Sequence, residues 1–284
     1  MQVVSFMNMK GGVGKTTLAV NVAYALAHQH GKQVLVVDGD PQFNATQCLL
    51  DDEDYLAHIK AKGTLKDIFI PRRAGAVNTT TGLAKVAGKT KMSLADCTVE
   101  IYAGMHGKPG RLDLLPNHLS IIEAEMAPRG AEKRLKSFLK ERASKYDYVI
   151  IDCPPTISFF TQAAMLASDK YLVPIKPDWL SVVGLPLLER YIEDFTDDAG
   201  MKLQQVGLVF TMVTGPVPQA MKQVMDQIRK ERKTEVFKDY LSQSTNVTKS
   251  VTERLPVFLY KKASAKIKLQ VLDITLEFLK RTGK

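Results

Sequence analysis

The stretch Met9-Lys10-Gly11-Gly12-Val13-Gly14-Lys15-Thr16-Thr17 decides the fold, because it places a glycine-rich loop between a predicted strand and a predicted helix. The strand is the apolar run at residues 3–7, and the helix, with apolar spacing and several alanines, covers residues 16–30. Glycines let the backbone turn successive N–H groups inward, and the start of a helix adds positive potential at the same place. The loop therefore predicts a site for a nucleotide triphosphate, cradled by residues 11–17.

Two side chains of this loop have predicted roles in the chemistry. Lys15 would reach the β and γ phosphates, and the Thr16 hydroxyl would bind Mg²⁺. The loop departs from the usual pattern at its start, where Met9 stands in place of glycine and Lys10 adds a second lysine. An ordinary tight turn with a solvated Lys10 is the structural alternative.

Acidic residues follow two other predicted strands. Asp38 and Asp40 leave the end of one apolar strand, and Asp152 ends another, at residues 146–152. The carboxyl ends of parallel strands form the ligand-binding edge of such sheets. We therefore expect Asp152 to hold Mg²⁺ through water, Asp38 to stand behind the metal ligands rather than act as a base, and Asp40 to position the attacking water. A merely structural acidic turn is the alternative for the first pair.

Strand and helix signals alternate along the rest of the chain. Further strands are predicted at residues 33–38, 112–116, 171–175, 206–213 and 256–260, and helices at 131–145, 185–195, 219–232 and 263–281. The alternation predicts an α/β fold, a doubly wound and mostly parallel sheet flanked by helices. A length of 284 residues favours a single domain over residues 1–284. Residues 71–92, rich in Gly, Thr and Lys, are predicted to form a surface insertion.

Composition excludes several classes of protein. The chain contains no run of about eighteen apolar residues and no basic, apolar leader before the first strand, so we expect a cytosolic protein. Its three cysteines, Cys48, Cys97 and Cys153, are far apart and lack CxxC spacing. We therefore expect free thiols rather than disulfides, a zinc site or an iron–sulfur site.

The net charge of +9 is concentrated in two segments. Residues 60–150 contain 17 basic and 9 acidic side chains, and residues 216–284 contain 15 and 7, whereas residues 1–59 and 151–215 are net acidic. Lysine and arginine gain affinity for nucleic acid by releasing its condensed counterions. Nonspecific DNA binding is thus predicted for basic residues of the C-terminal segment: Lys222, Arg229, Lys230, Arg232, Lys233, Lys249, Lys261 and Lys262. A solvated basic face is the alternative.

Three motifs give the chain a family resemblance. The runs KGGVGKTT at residues 10–17, DGDPQFNAT at 38–46 and IIDCPPT at 150–156 occur in the order and at nearly the spacing of the ParA family of DNA-partitioning ATPases. The loop with its early lysine resembles the deviant phosphate loop of the ParA/Min superfamily. The resemblance implies a Mg²⁺-dependent ATPase that forms a homodimer around two ATP molecules, with Lys10 crossing to the partner's nucleotide as a catalytic residue. It also implies ATP-gated, nonspecific DNA binding on the nucleoid and a ParB-like adaptor that stimulates release.

Two alternatives stay open at this point. The amphipathic run at residues 274–281 is basic at its end, as are the membrane-targeting tails of Min-type ATPases, although a helix packed on the core explains it equally well. The second alternative is a nucleotide-gated scaffold that positions a protein cargo on the nucleoid. Because the phosphate loop begins nine residues into the chain, we expect no N-terminal helix-turn-helix domain of the kind that longer ParA proteins carry.

Overall fold

A seven-stranded sheet runs through the computed structural model, which describes residues 1–71, 92–104 and 109–283. The strands lie in the order β3-β4-β2-β5-β1-β6-β7, and all neighbours pair in parallel except β3 and β4. In chain order they are Gln2–Phe6, Gln33–Asp38, Val99–Ala103, Arg111–Leu115, Tyr148–Asp152, Lys170–Ile175 and Gln204–Phe210. The predicted α/β fold with a mostly parallel sheet is confirmed.

Helices connect the strands and cover both faces of the sheet. Helices α1 to α10 are Lys15–His30, Asn44–Leu49, Asp52–Ala61, Leu65–Phe69, Arg134–Arg142, Phe159–Ala167, Trp179–Asp198, Gln219–Arg232, Thr245–Thr252 and Ala265–Thr282. Short 3₁₀ helices occupy Leu119–Met126, Ala131–Lys133 and Lys233–Glu235. Central strands are buried on both sides, as their nearly continuous apolar runs require.

The two faces of the sheet carry separate cores. Alternate residues of one strand enter different cores, as in β1, where Val4 packs on the α1 side and Val3 on the α6 side. On the α1 side, Phe278 of α10 is fully buried against the rings of Phe6 and Tyr148. The face of α10 that carries Phe278 therefore packs into the protein's own core, whereas Leu269 and Leu276 of the same helix are exposed. Among the described residues, no helix is both long and apolar enough to cross a membrane.

Several predicted elements need correction. Residues 256–260 form turns rather than a strand, because Val257 N–H donates to the buried Asn21 side chain at 2.7 Å and Tyr260 N–H bonds back to Pro256. The helix predicted at 131–145 begins with a 3₁₀ turn and ends at Arg142, whereas α7 is longer than predicted and tolerates Pro186 inside it. Strand β3, the antiparallel edge, and helix α6 were not predicted. The predicted insertion at 71–92 lies almost wholly outside the described residues.

Candidate nucleotide-binding site

The phosphate loop leaves β1 in the middle of the sheet and ends where α1 begins at Lys15. Gly12 and Gly14 both have positive φ, 70° and 77°, in the left-handed region that side chains disfavour. Gly14 caps α1 without a side-chain hydrogen bond, and the first turn of α1 contains no acidic residue. The N–H groups of that turn therefore remain available to an anion, which the helix dipole also favours.

Lys15 is buried beneath this loop. Its Nζ donates to the backbone carbonyl of Lys10 at 3.2 Å. Burial lowers the pKa of Lys15, and the neighbouring charges of Asp152 and Asp40 oppose that shift. The structure thus brings the lysine and both predicted carboxylates into one electrostatic cluster, as the three motifs predict.

Asp152 and Thr16 form the polar centre of the site. The Thr16 hydroxyl donates to Asp152 Oδ2 at 2.6 Å. The other oxygen, Oδ1, is buried and finds no hydrogen-bond partner among the described residues. Burial and the nearby Asp38 raise the pKa of Asp152 well above its ordinary value. A buried, unpartnered carboxylate oxygen beside a hydroxyl fits a hard cation such as Mg²⁺, which takes one or two protein oxygens and completes its shell with water and phosphate.

Asp38 and Asp40 have different surroundings. Asp38 Oδ2 accepts hydrogen bonds from the backbone N–H of Thr46 at 2.7 Å and from its hydroxyl at 2.6 Å, and Oδ1 accepts one from Asp40 N–H at 3.3 Å. Burial raises the pKa of Asp38 to about 7, although the Thr46 hydrogen bonds act against it. Asp38 therefore anchors the start of α2, and its predicted place behind the metal ligands stays a prediction. Asp40 is buried with Oδ1 bonded to Gln42 N–H at 2.9 Å.

Gly39, between these two aspartates, is required by close packing. A Cβ at this position would lie 2.8 Å from the backbone oxygen of Asp152, closer than real Cβ atoms come. The tight approach of the two chain segments brings Asp38 level with Asp152 across the paired strands β2 and β5. The close packing therefore explains the glycine between the two aspartates of this motif.

Lys10 lies apart from this cluster in the present conformation. Its backbone N–H donates to Asn8 Oδ1 at 2.9 Å, and its ammonium forms an ion pair with Asp178, the residue that caps α7. Both side chains are 30% exposed. The predicted crossing of Lys10 to a second molecule is thus a prediction about another state of the protein.

Four supporting residues were missed by the sequence analysis. Thr46 anchors Asp38, and Asn117 ties the loops together by donating from Nδ2 to the Asp40 carbonyl at 2.9 Å. The Thr211 hydroxyl donates to the carbonyl of Val13, bracing the phosphate loop from the end of β7. Asp178 contacts Lys10. Asn117 and Thr211 lie just beyond strand ends and Asp178 caps a helix, so no local pattern marks them before the sheet order is known. Thr46 ends the run at 38–46 and lies in the first turn of α2, but its spacing alone assigns it no role.

The predicted DNA-contacting residues fall into two groups. Arg229 and Arg232 have contacts within the protein: Arg229 lies over the Phe210 ring and bonds the Lys238 carbonyl at 3.3 Å, while Arg232 bonds Glu189 at 2.6 Å. The lysines are exposed: Lys222, Lys230, Lys233, Lys249, Lys261 and Lys262. Lys233 lies beyond the end of α8, with φ of 40°, so it does not continue the helix that carries Lys222 and Lys230. The segment at 261–262 adjoins α9, since Asn246 Nδ2 donates to the Lys262 carbonyl at 2.9 Å.

Known proteins resemble this chain in sequence and in fold. The pattern of a family described as an AAA domain, AAA_31, matches residues 1–205. The chain is 28% identical over 277 residues to the sporulation initiation inhibitor protein Soj of Bacillus subtilis, covering 91% of each chain. It is 30% identical over 265 residues to the chromosome partitioning protein ParA of Caulobacter vibrioides, covering 92% of this chain and 87% of that protein. A solved putative plasmid partition protein from Borrelia burgdorferi, bound to AMPPNP, has the same fold, with a TM-score of 0.75, 19% identity and 99% of each chain covered. The chain therefore belongs to the AAA_31 family, among the ParA-type partition and positioning ATPases with a P-loop.

Proposed function

We propose that this chain is a Mg²⁺-dependent ATPase that dimerises around two ATP molecules, binds DNA without sequence preference in that state, and moves DNA over the nucleoid with a ParB-like adaptor. The observation that carries the proposal is the buried Asp152 carboxylate, with one oxygen on the Thr16 hydroxyl and the other unpartnered among the described residues, beside Lys15. The carboxylate and the hydroxyl are oxygen ligands of the kind that Mg²⁺ takes, and the buried lysine is a cation that can meet phosphate oxygens.

The reaction is attack of water on the γ-phosphorus, with ADP as the leaving group. Catalysis of this kind is mainly positioning and charge neutralisation. Lys15 and the N–H groups at the start of α1 hold the phosphates, and Asp40 orients the water. Thr16 and Asp152 would hold a Mg²⁺ ion, which would neutralise charge on the phosphate oxygens. Asp38 keeps the segment after Asp40 in place through Thr46.

An exposed apolar face beside the phosphate loop supports dimerisation. Trp179, Val183 and Leu187 recur at four-residue spacing on α7, and Trp179 is 66% exposed. Met9 and Ile157, which are also partly exposed, line a small cleft against the same helix. Contiguous apolar surface marks interaction sites. This apolar face begins next to Asp178, the residue that contacts Lys10. A second copy of the chain docked on it would bring its nucleotide within reach of Lys10.

Exposed lysines of the C-terminal segment support the DNA-binding part of the proposal. Lys249 on α9 and Lys261 and Lys262 beside it are exposed. Lysines that meet the DNA backbone as point charges give affinity without sequence readout. Burial of Ile274, Phe278 and Leu279 inside the protein favours DNA positioning over the Min-like alternative, although Leu276 of the same helix is exposed. The adaptor is proposed from the partitioning roles that the names of the relatives carry.

The Lys10→Ala variant tests the proposed dimer. We expect the wild-type chain to change from monomer to dimer on addition of ATP and Mg²⁺, followed by size exclusion with light scattering. The variant should bind ATP normally, because Lys15 and the loop backbone remain, and yet stay monomeric and fail to hydrolyse ATP. Lys136→Ala, which removes an exposed lysine from α5, is the matched control and should dimerise like the wild type. A Lys10→Ala chain that dimerises with ATP would show that the lysine is not part of the interface.

A further inference from the structure

The first turn of α7 holds Lys10 through a carboxylate with two separate tasks. Asp178 Oδ1 accepts from the backbone N–H and the hydroxyl of Ser181, both at 3.1 Å, and so caps the helix. Asp178 Oδ2 accepts from Lys10 Nζ. Ser181 Oγ also donates to the Lys176 carbonyl at 2.6 Å, which fixes the cap in place. One oxygen thus serves the fold of α7, whereas the other serves only the lysine.

The ion pair is partly shielded from solvent, since both side chains are 30% exposed. Burial raises the pKa of Asp178, but the hydrogen bonds from Lys10 and Ser181 outweigh burial and hold that pKa below its ordinary value. The pair also sits at the start of the helix that exposes Trp179, the next residue along the chain. Lys10 is therefore held back at the edge of the surface on which a second copy would dock.

We propose that Asp178 is a positioning residue that retains Lys10 within its own protomer and thereby sets the ATP concentration needed for dimerisation; this inference rests on the proposed function. The contact holds Lys10 Nζ against α7 of its own protomer, and the proposal requires that Lys10 leaves Asp178 when it reaches a partner's nucleotide. A triphosphate with its several negative charges competes with one carboxylate better than a diphosphate does. The ion pair thus makes dimerisation depend more strongly on the γ-phosphate.

The Asp178→Asn variant separates the two tasks of this side chain. Asparagine caps helices as well as aspartate does, so the Ser181 hydrogen bonds can remain while the charge on Lys10 is lost. We expect Asp178→Asn to reach half-maximal dimer at an ATP concentration about two- to fivefold below that of the wild type, the range for a partly exposed ion pair. The shift should shrink as salt rises, because salt screens the pair. Dimerisation with ADP should also increase.

Two further variants make the test specific. Asp178→Ala loses the cap as well, so its melting temperature should fall, whereas that of Asp178→Asn should stay close to the wild-type value. Asp198→Asn, which removes an exposed carboxylate at the other end of α7, should leave the ATP requirement unchanged, because the proposed action passes through the contact of Asp178 with Lys10. An Asp178→Asn chain that needs as much ATP as the wild type, or more, overturns the inference while leaving the proposed dimer intact. If neither the wild type nor Asp178→Asn dimerises with ATP, the inference and the proposed function both fail.

Discussion

The phosphate edge (residues 10–16, 38–40 and 152) and the C-terminal basic segment (residues 216–284) were predicted from different kinds of sequence signal. The first rests on motifs in which backbone geometry dictates the residue, as Gly14 shows with its positive φ. The second rests on the number of charges. In the structure, Asp40 and Asp152 lie near enough to Lys15 to act on its charge, whereas Arg229 and Arg232 have partners inside the protein. A motif specifies positions, but a surplus of charge does not say which cations are free.

Arg281 makes the same point at the end of α10. Its guanidinium bonds the carbonyls of Val206, Glu235 and Val236 and lies over the ring of Phe237. In sequence it belongs to a basic helix end that suits a membrane surface. In the structure it donates hydrogen bonds to backbone carbonyls at and beside β7, and these bonds attach the C-terminal helix to the sheet. Guanidinium groups are especially suited to such partly buried positions.

The largest effects are expected from substitutions at the phosphate edge, where two variants should distinguish ATP binding from ATP hydrolysis. Lys15→Ala removes the buried cation that would meet the phosphates and should abolish measurable ATP binding. Asp40→Ala removes only the carboxylate that orients water, so this variant should bind ATP, lose nearly all turnover and accumulate as the ATP-bound dimer. Equilibrium binding of a fluorescent ATP analogue and phosphate release measure the two properties. Failure of Asp40→Ala to bind ATP would assign Asp40 a structural or binding role instead.

Local sequence predicts some elements of this fold and not others, because the interactions that decide them differ in range along the chain. Strands β1, β2, β5, β6 and β7 are readable because each is a continuous apolar run between turn signals, and their order places the acidic ends side by side. Strand β3 was not predicted, because it is an edge strand with only Tyr102 of its five residues buried. Its sequence therefore has no continuous apolar run. The turns at 256–260 were predicted as a strand because their sequence is a short apolar run, as is typical of strands. The contact that decides their backbone comes from Asn21, more than 230 residues away. Asp178 and Thr46 were missed for the same reason, since their partners are distant in sequence or defined only by the fold.

Thr46 tests whether these unpredicted contacts matter as much as the motifs. Thr46→Val keeps the shape but removes the hydroxyl that donates to the buried Asp38, so the carboxylate loses one of its hydrogen bonds. We expect a loss of about 1–3 kcal/mol in the free energy of unfolding, the cost of an unsatisfied buried group. Urea denaturation of the nucleotide-free protein measures it. Thr46→Ser retains the hydroxyl and should recover most of the loss, and equal destabilisation by both variants would mean that the Thr46 methyl group, not the hydrogen bond, is what stabilises this loop.

The smallest expected effect, and the one that most directly sharpens the comparison, is at the exposed lysines of the C-terminal segment. We expect two triple alanine variants to weaken ATP-dependent DNA binding for all sequences alike while sparing dimerisation: Lys222/Lys230/Lys233 and Lys249/Lys261/Lys262. Each phosphate contact contributes about −0.9 to the slope of log affinity against log salt, so a triple variant that loses real contacts should flatten that slope. Fluorescence anisotropy with unrelated duplexes over a salt series gives both quantities. Arg229 and Arg232 are left unchanged, because their replacement would also break contacts to Phe210 and Glu189.

A charge-matched control distinguishes a DNA surface from net charge alone. Replacing the exposed Lys133, Lys136 and Lys140, on and just before α5, removes the same charge from the other basic segment, at residues 60–150. If only the C-terminal variants flatten the salt slope, phosphate contacts lie on that surface, since all three variants lower the net charge equally. If the α5 variant flattens it and the others do not, DNA meets the protein at the 60–150 segment. Equal small effects from all three would mean that the lysines act through the overall field of the protein, with no defined DNA-binding face.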